Sequence, residues 1–107
     1  MRTLASVPSP EETADRLSRC APEIRGLGVT RLALFGSVLR GEARADSDVD
    51  LLVDFEPGAK SYDRLLALFD LLESRLGRRV ELVTVQALSP FIVPRILAEA
   101  IDVLRAA

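Results

Sequence analysis

The chain has 107 residues, of which 49% are hydrophobic and 28% are charged, and its formal net charge is −2. This length suits one globular domain, so we predict a single domain over residues 1–107, with residues 1–8 as a loose lead-in. The acidic balance, with no basic cluster beyond Arg78 and Arg79, argues against direct nucleic-acid binding. Histidine is absent, which excludes His-based acid–base catalysis and His metal sites.

Cysteine usage and hydropathy bear on the compartment. The only cysteine, Cys20, cannot form an internal disulfide, which fits a reducing cytoplasm. No segment approaches the ~20 apolar residues of a membrane span, and the N-terminus lacks the pattern of a signal peptide. We therefore predict a cytoplasmic protein that makes no contact with a membrane.

The first predicted elements are a helix and two strands. Ser9, followed by a proline and two acidic residues, starts a helix that ends near Gly26 and that Pro22 kinks or splits. The nearly continuous apolar run over residues 30–35 is typical of a buried strand. Apolar and β-branched residues between polar turns predict a second strand over residues 49–55.

The second half of the chain predicts a helix, a strand and a further helix. Residues 61–76 have a helical apolar face and end at Gly77. A third strand is predicted over residues 79–85, and apolar residues keep helical spacing over residues 93–104. The helical link between strands two and three permits parallel pairing, while the short link between strands one and two permits antiparallel pairing. The fold class is thus α/β (α+β), with a small mixed sheet flanked by helices.

Two carboxylates lie at the start of the second strand. Strand side chains alternate, so Asp48 and Asp50 point the same way, roughly 7 Å apart. Two carboxylates on one face repel each other unless a cation lies between them. Mg²⁺ binds one or two carboxylates and completes its shell with water and phosphates. The pair therefore indicates a metal site, although a solvated acidic turn over residues 46–48 is an alternative that it leaves open.

A Gly-Ser pair closes the first strand. Gly36 permits a tight turn, and Ser37 is a good N-cap for a short helical turn through Leu39. Backbone N–H groups and a hydroxyl at such a position suit a phosphate, and Arg40 adds a positive charge. An ordinary strand end with an exposed arginine is the alternative. The combination of this turn with the acid pair favours nucleotide chemistry.

These residues carry a family resemblance. Gly36-Ser37, ten residues and then Asp48-x-Asp50 resembles the signature of the DNA polymerase β-like nucleotidyltransferase superfamily. The longer pattern, with Arg40 and the glycine after it, resembles the minimal nucleotidyltransferase (MNT) branch, whose members are often antitoxins of HEPN–MNT toxin–antitoxin pairs. The resemblance implies the polymerase β-like fold, Gly36, Ser37 and Arg40 on the nucleotide, and Asp48 and Asp50 on Mg²⁺.

The resemblance also implies a third carboxylate, on the third strand. The matching position is Glu81, where the commoner residue is aspartate. Glu81 would complete the metal shell or accept the proton of the acceptor hydroxyl. Taken without the resemblance, the residues favour Glu81 as an exposed strand residue paired with Arg79 or Arg78.

Three hypotheses follow. The first is an Mg²⁺-dependent nucleotidyltransferase that moves AMP from ATP to a hydroxyl, by resemblance a tyrosine of a HEPN toxin. The second is an inactive antitoxin that neutralises its partner by binding alone; Glu81 in place of aspartate and the apolar run at residues 91–93 favour it. The third is a carboxylate-lined Ca²⁺ module, although the spacing of an EF-hand loop is absent. A homo-oligomer and a hetero-oligomer both remain open.

Overall fold

A computed structural model describes residues 7–104, so the lead-in predicted for residues 1–8 lies almost wholly outside the described residues. Within that range no helix is long and apolar enough to cross a membrane. Five helices, four strands and one 3₁₀ turn follow in chain order: α1 Pro10–Arg19, α2 Ala21–Gly26, β1 Val29–Phe35, α3 Gly36–Arg40, β2 Val49–Phe55, α4 Tyr62–Leu76, β3 Val80–Val83, the 3₁₀ turn Val85–Ala87, α5 Val93–Glu99 and β4 Ile101–Leu104.

The four strands form one mixed sheet in the order β3-β2-β1-β4. β1 pairs antiparallel with β2, and β2 pairs parallel with β3, as the lengths of their links predict. The register sets Asp50 of β2 opposite Phe35 of β1 on one side and opposite Glu81 of β3 on the other. This row across the sheet positions the candidate site.

The two longer helices begin where their caps predict. The Ser9 hydroxyl accepts a hydrogen bond from the Glu12 amide at 3.0 Å, and the Ser61 hydroxyl caps α4. The predicted break near Pro22 is confirmed, because the first helix ends at Cys20 and α2 starts directly after it with the proline in its first turn. Cys20 is fully buried and is not in a disulfide.

The helix predicted for the last segment is wrong beyond Glu99. Ala100 is extended, with φ −65° and ψ 141°, and the next four residues form β4, antiparallel to β1. The apolar spacing of residues 101–104 suits a helix or a strand. The strand forms because the edge of β1 has backbone N–H and C=O groups that need hydrogen-bond partners. The third strand is likewise shorter than predicted, because residues 85–87 form a 3₁₀ turn.

The core lies on one face of the sheet. Alternate strand residues such as Leu34, Leu51 and Val53 are buried against α1, α2 and α4. Phe35, next to Leu34, and Asp50, next to Leu51, therefore face the other way. This second face also carries the fully buried Ala33 and Leu52, and the candidate site lies at its end, around Phe35 and Asp50.

Candidate active site

Carboxylates from two neighbouring strands form the first part of the site. Asp50 and Glu81 are register partners on β2 and β3, and Asp48 lies two residues before Asp50, just outside the strand. We call these three residues the acid row. The Glu81 side chain is exposed, whereas Asp48 and Asp50 are half-buried. The structure thus brings Glu81 beside Asp50, which the sequence reasoning could propose but not settle.

The acid row is electrostatically crowded. Burial raises the pKa of Asp50 to about 6, and a hydrogen bond with Glu81 and the charges of Glu81 and Asp48 add to the effect. Arg40 acts in the opposite direction, but more weakly. The acid row offers carboxylate oxygens to a divalent cation, and such a cation would favour the ionised form of Asp50.

Asp48 is engaged by a cation of the protein itself. Its Oδ1 lies 3.4 Å from Nε of Arg79, a side chain that is 79% exposed. No group of three or more His, Cys, Asp or Glu side chains within residues 7–104 is arranged to hold a metal ion. The alternative that paired Glu81 with Arg79 is not what the structure shows, because Arg79 is paired with Asp48.

The Gly-Ser turn, made of Gly36 and Ser37, lies against the acid row. Gly36 is buried at φ +79°, a conformation that favours glycine. A Cβ atom at Gly36 would lie 2.9 Å from Cγ and 3.0 Å from Cβ of Asp50, and closer still to a carboxylate oxygen. Glycine is therefore required at this position both for its backbone angle and for the space that Asp50 occupies.

Ser37 is not the helix cap that the sequence predicted. α3 begins one residue earlier, at Gly36, with Phe35 as the N-cap residue and no side-chain capping bond. The glycine accounts for this shift, because it turns the chain directly at the end of β1. Ser37 therefore lies within the first turn of α3, where its hydroxyl does not cap the helix.

Glu99, at the end of α5, is a residue of the site that sequence reasoning missed. Its carboxylate accepts hydrogen bonds from the Gly36 amide at 2.9 Å and from Nη1 of Arg40 at 3.0 and 3.2 Å. The Gly36 amide, and after it Arg40, hold the pKa of Glu99 below its usual value. Glu99 belongs to no motif in the sequence, and only the packing of α5 reveals its role.

A cavity of about 450 Å³ opens beside the Gly-Ser turn, between α3 and α5. Its wall combines an aromatic ring, aliphatic side chains and three charged groups: Phe35, Gly36, Arg40, Ile92, Arg95, Ile96 and Glu99. Its volume falls in the range of small-molecule sites in proteins. Phe35, Ile92, Arg95 and Ile96 were not predicted to belong to the site.

The geometry pairs an anion-binding turn with a carboxylate cluster at one sheet edge. Arg40 and the start of α3 carry a positive charge and N–H donors, of which the Gly36 amide and Nη1 of Arg40 are bonded to Glu99 in this structure. The acid row supplies oxygen donors for a cation and a group of raised pKa that can take up a proton. These are the two requirements for transfer of a phosphorus-containing group.

Comparisons with known proteins agree with this geometry. The family model for a nucleotidyltransferase domain matches residues 14–103. The protein adenylyltransferase MntA of Thermococcus cleftensis is 42% identical over 94 residues, which cover 87% of this chain and 94% of that protein. A solved structure described provisionally as a minimal nucleotidyltransferase is 43% identical, has a TM-score of 0.68 and covers 85% of this chain and 88% of its own.

A more distant structure shares the fold. The complex of tri-AMPylated Shewanella oneidensis HEPN toxin with MNT antitoxin contains a chain that matches with a TM-score of 0.62 at 16% identity, over 90% of this chain and 72% of that one. The sequence resemblance is confirmed by the family match and by the two relatives of over 40% identity. The chain therefore belongs to the nucleotidyltransferase domain family and, within it, to the minimal nucleotidyltransferases.

Proposed function

We propose that this chain is an Mg²⁺-dependent protein adenylyltransferase that transfers AMP from ATP to a tyrosine hydroxyl of a partner HEPN toxin and so acts as an antitoxin. The observation that carries the proposal is the contact between the Gly-Ser turn and the acid row, at Gly36 and Asp50. Its support is the relative named as a protein adenylyltransferase and the neighbouring fold from an AMPylated toxin complex.

The reaction is an in-line displacement. The acceptor oxygen forms a bond to the α-phosphorus of ATP, the bond from that phosphorus to pyrophosphate breaks, and the hydroxyl proton is lost. Glu81 would accept that proton, and its exposed position beside Asp50 supports this role. Ser37, Arg40 and the backbone of the Gly-Ser turn would hold the β- and γ-phosphates, so that catalysis rests on positioning and charge neutralisation.

The acid row fits a magnesium ion by the chemistry of its donors. Asp48, Asp50 and Glu81 would be its protein ligands. Burial first, and then the neighbouring carboxylates, raise the pKa of Asp50 to about 6, and a cation would offset the charge of those carboxylates. When bound, Mg²⁺ supplies charge neutralisation at the transferred phosphate. No three-ligand group is formed among the described residues as they stand, so the side chains of the acid row would have to move together to hold the ion.

Label transfer tests the proposal. The chain is incubated with α-³²P-ATP, Mg²⁺ and a candidate HEPN partner protein, in parallel with Asp50→Asn. We expect label on the partner with wild type only, and loss of that label when a tyrosine-to-phenylalanine series removes the acceptor. Label that persists with Asp50→Asn would contradict the role of the acid row.

The compartment follows from the same proposal. ATP is the proposed substrate, and the fully buried, unpaired thiol of Cys20 suits a reducing environment. We therefore place the protein in the cytoplasm. Membership of the nucleotidyltransferase family leaves the Ca²⁺-module alternative without support.

An antitoxin that acts by binding alone is the second candidate. Phe91 is 94% exposed and Ile92 is 43% exposed, which is unusual for large apolar side chains and typical of an interface. If the label stays on ATP while a tight complex with the HEPN protein forms, this candidate is correct and catalysis is not. Neutralisation of the toxin by Asp50→Asn as well as by wild type would show the same.

A further inference from the structure

Glu99 connects the two sides of the candidate nucleotide site across a long stretch of sequence. It lies 63 residues after Gly36 and 59 residues after Arg40, yet it bonds to both. One of its oxygens, Oε2, accepts from the Gly36 amide and also lies 3.2 Å from Arg40. A single carboxylate thus joins the backbone of the Gly-Ser turn to the guanidinium that follows it.

The backbone beneath Glu99 is anchored on both sides. Three residues earlier, Ile96 is 9% exposed and accepts a backbone bond from Ala100 at 2.8 Å. On the other side β4 pairs with β1 and ends at buried Leu104. The core holds the residues before Glu99 and the sheet holds the residues after it. The position of the Glu99 backbone relative to the Gly-Ser turn is therefore fixed.

Arg40 is bonded to two carboxylates. Its Nε donates to Glu42 at 2.9 Å, and its Nη1 donates to Glu99. The bonds to Glu42, and then to Glu99, raise the pKa of Arg40. A guanidinium has a planar set of five donors on a flexible stem, so two carboxylates that bond different nitrogens, Nε and Nη1, fix its plane and direct its remaining donors.

We propose that Glu99 is a positioning residue of this enzyme: it holds Arg40 and the Gly-Ser turn in the arrangement that receives the triphosphate of the nucleotide. The inference rests on the proposed function and deepens it. Glu99 itself does not touch the reacting atoms; it acts through the guanidinium of Arg40 and the amide of Gly36. Its effect is therefore on nucleotide affinity and not on the partner protein.

Calorimetric binding of a non-hydrolysable ATP analogue with Mg²⁺ tests this role. Glu99→Gln keeps the size of the side chain and one acceptor for the Gly36 amide, but it loses the charged bond to Arg40. We expect about tenfold weaker binding of the analogue, with the KM for the partner protein unchanged. Asp102→Asn is the matched control, since Asp102 is a partly exposed carboxylate three residues later that pairs with Arg31 at 2.7 Å, away from the turn. Asp102→Asn should bind the ATP analogue as tightly as wild type does.

Two further variants distinguish a positioning role of Glu99 from an effect of its charge alone and from loss of folding. Glu99→Asp keeps the negative charge but is too short to span both partners, so it too should bind the analogue weakly, with a melting temperature near that of wild type. In a double-mutant cycle with Arg40→Gln, the loss caused by Glu99→Gln should largely vanish, because its target is already absent.

The outcomes are distinct. If wild type binds no nucleotide at all, the proposed function fails, and the inference that rests on it fails with it. If wild type binds and Glu99→Gln binds equally well or more tightly, Glu99 is not a positioning residue; tighter binding would make it a competitor for the phosphate position. Additive losses in the cycle would also overturn the inference.

Discussion

The Gly-Ser turn and the acid row meet at Gly36 and Asp50. A methyl group at Gly36 would overlap the Asp50 carboxylate, and the backbone there has a positive φ. We expect Gly36→Ala to destabilise the fold by about 2 kcal/mol or more and to abolish nucleotide binding, because both the turn and the carboxylate are displaced. Urea unfolding and calorimetric titration would measure the two effects.

Gly41→Ala is the matched control for that substitution. Gly41 also has a positive φ, +74°, but nothing lies within 4 Å of a Cβ atom built there. Gly41→Ala should reduce the free energy of unfolding by about 1 kcal/mol, through backbone strain, and leave nucleotide binding intact. Equal loss of binding in both variants would show that backbone strain, and not the contact with Asp50, accounts for the effect.

The raised pKa of Asp50 predicts a pH dependence of stability. A folded pKa of about 6, against an ordinary value of 3.8, contributes stability that is complete below pH 4 and is lost as the pH rises through 6. After allowance for solvent screening, we expect wild type to lose about 1 kcal/mol relative to Asp50→Asn between pH 4 and 7. Chemical unfolding of both proteins across this range gives the difference.

The direction of that difference is the critical outcome. Asp50→Asn should gain relative stability as the pH rises, while losing its activity, because it removes a charge that is costly in the nucleotide-free site. A difference that stays constant from pH 4 to 7 would contradict the raised pKa. Added Mg²⁺ should stabilise wild type more than the variant at pH 7 if the acid row binds the ion.

At the scale of elements, the last strand shows how one pattern can suit two structures. Ile101 and Leu104 are three residues apart, which places them on one face of a helix, as the sequence analysis assumed. In β4, by contrast, Leu104 is 3% exposed and Ile101 is 57% exposed. The pairing with β1 therefore gives these two residues different environments.

That difference is measurable by a matched pair of substitutions. Leu104→Ala should reduce the free energy of unfolding by about 3 kcal/mol, because it leaves a cavity in the core. Ile101→Ala should cost less than about 0.5 kcal/mol. Similar losses from both substitutions would instead support the helical arrangement.

At the scale of the whole molecule, the exposed apolar side chains point to a protein partner. Phe91 is almost fully exposed at the start of the α5 segment, next to the cavity wall formed by Ile92. If the partner docks there, Phe91→Ser should weaken the complex with the HEPN protein at least about tenfold, since aromatic residues dominate interface energies. Binding of the ATP analogue should remain at the wild-type level.

Tyr62→Ser serves as the comparison for this measurement. Tyr62 is also a highly exposed aromatic residue, at 74%, but it lies at the start of α4. It should leave the affinity for the partner unchanged in surface plasmon resonance. If Tyr62→Ser weakens the complex and Phe91→Ser does not, the interface lies on α4.

Local patterns in the sequence determined most of the elements. Caps and glycines set the start of α1 and both ends of α4, and apolar runs bounded by turns identified β1 and β2. The site residues that form a linear motif, from Gly36 to Asp50, were found in the same way. These signals are short in range, so each can be recognised without knowledge of the rest of the chain.

Tertiary structure alone decided the contacts between distant segments. The open edge of β1 turned residues 101–104 into a strand, and this pairing placed Glu99 against the Gly-Ser turn. The parallel register of β2 and β3 placed Glu81 beside Asp50. Neither contact has a signature in local sequence, because each depends on which strand edges and helix faces remain to be covered once the neighbouring elements have packed.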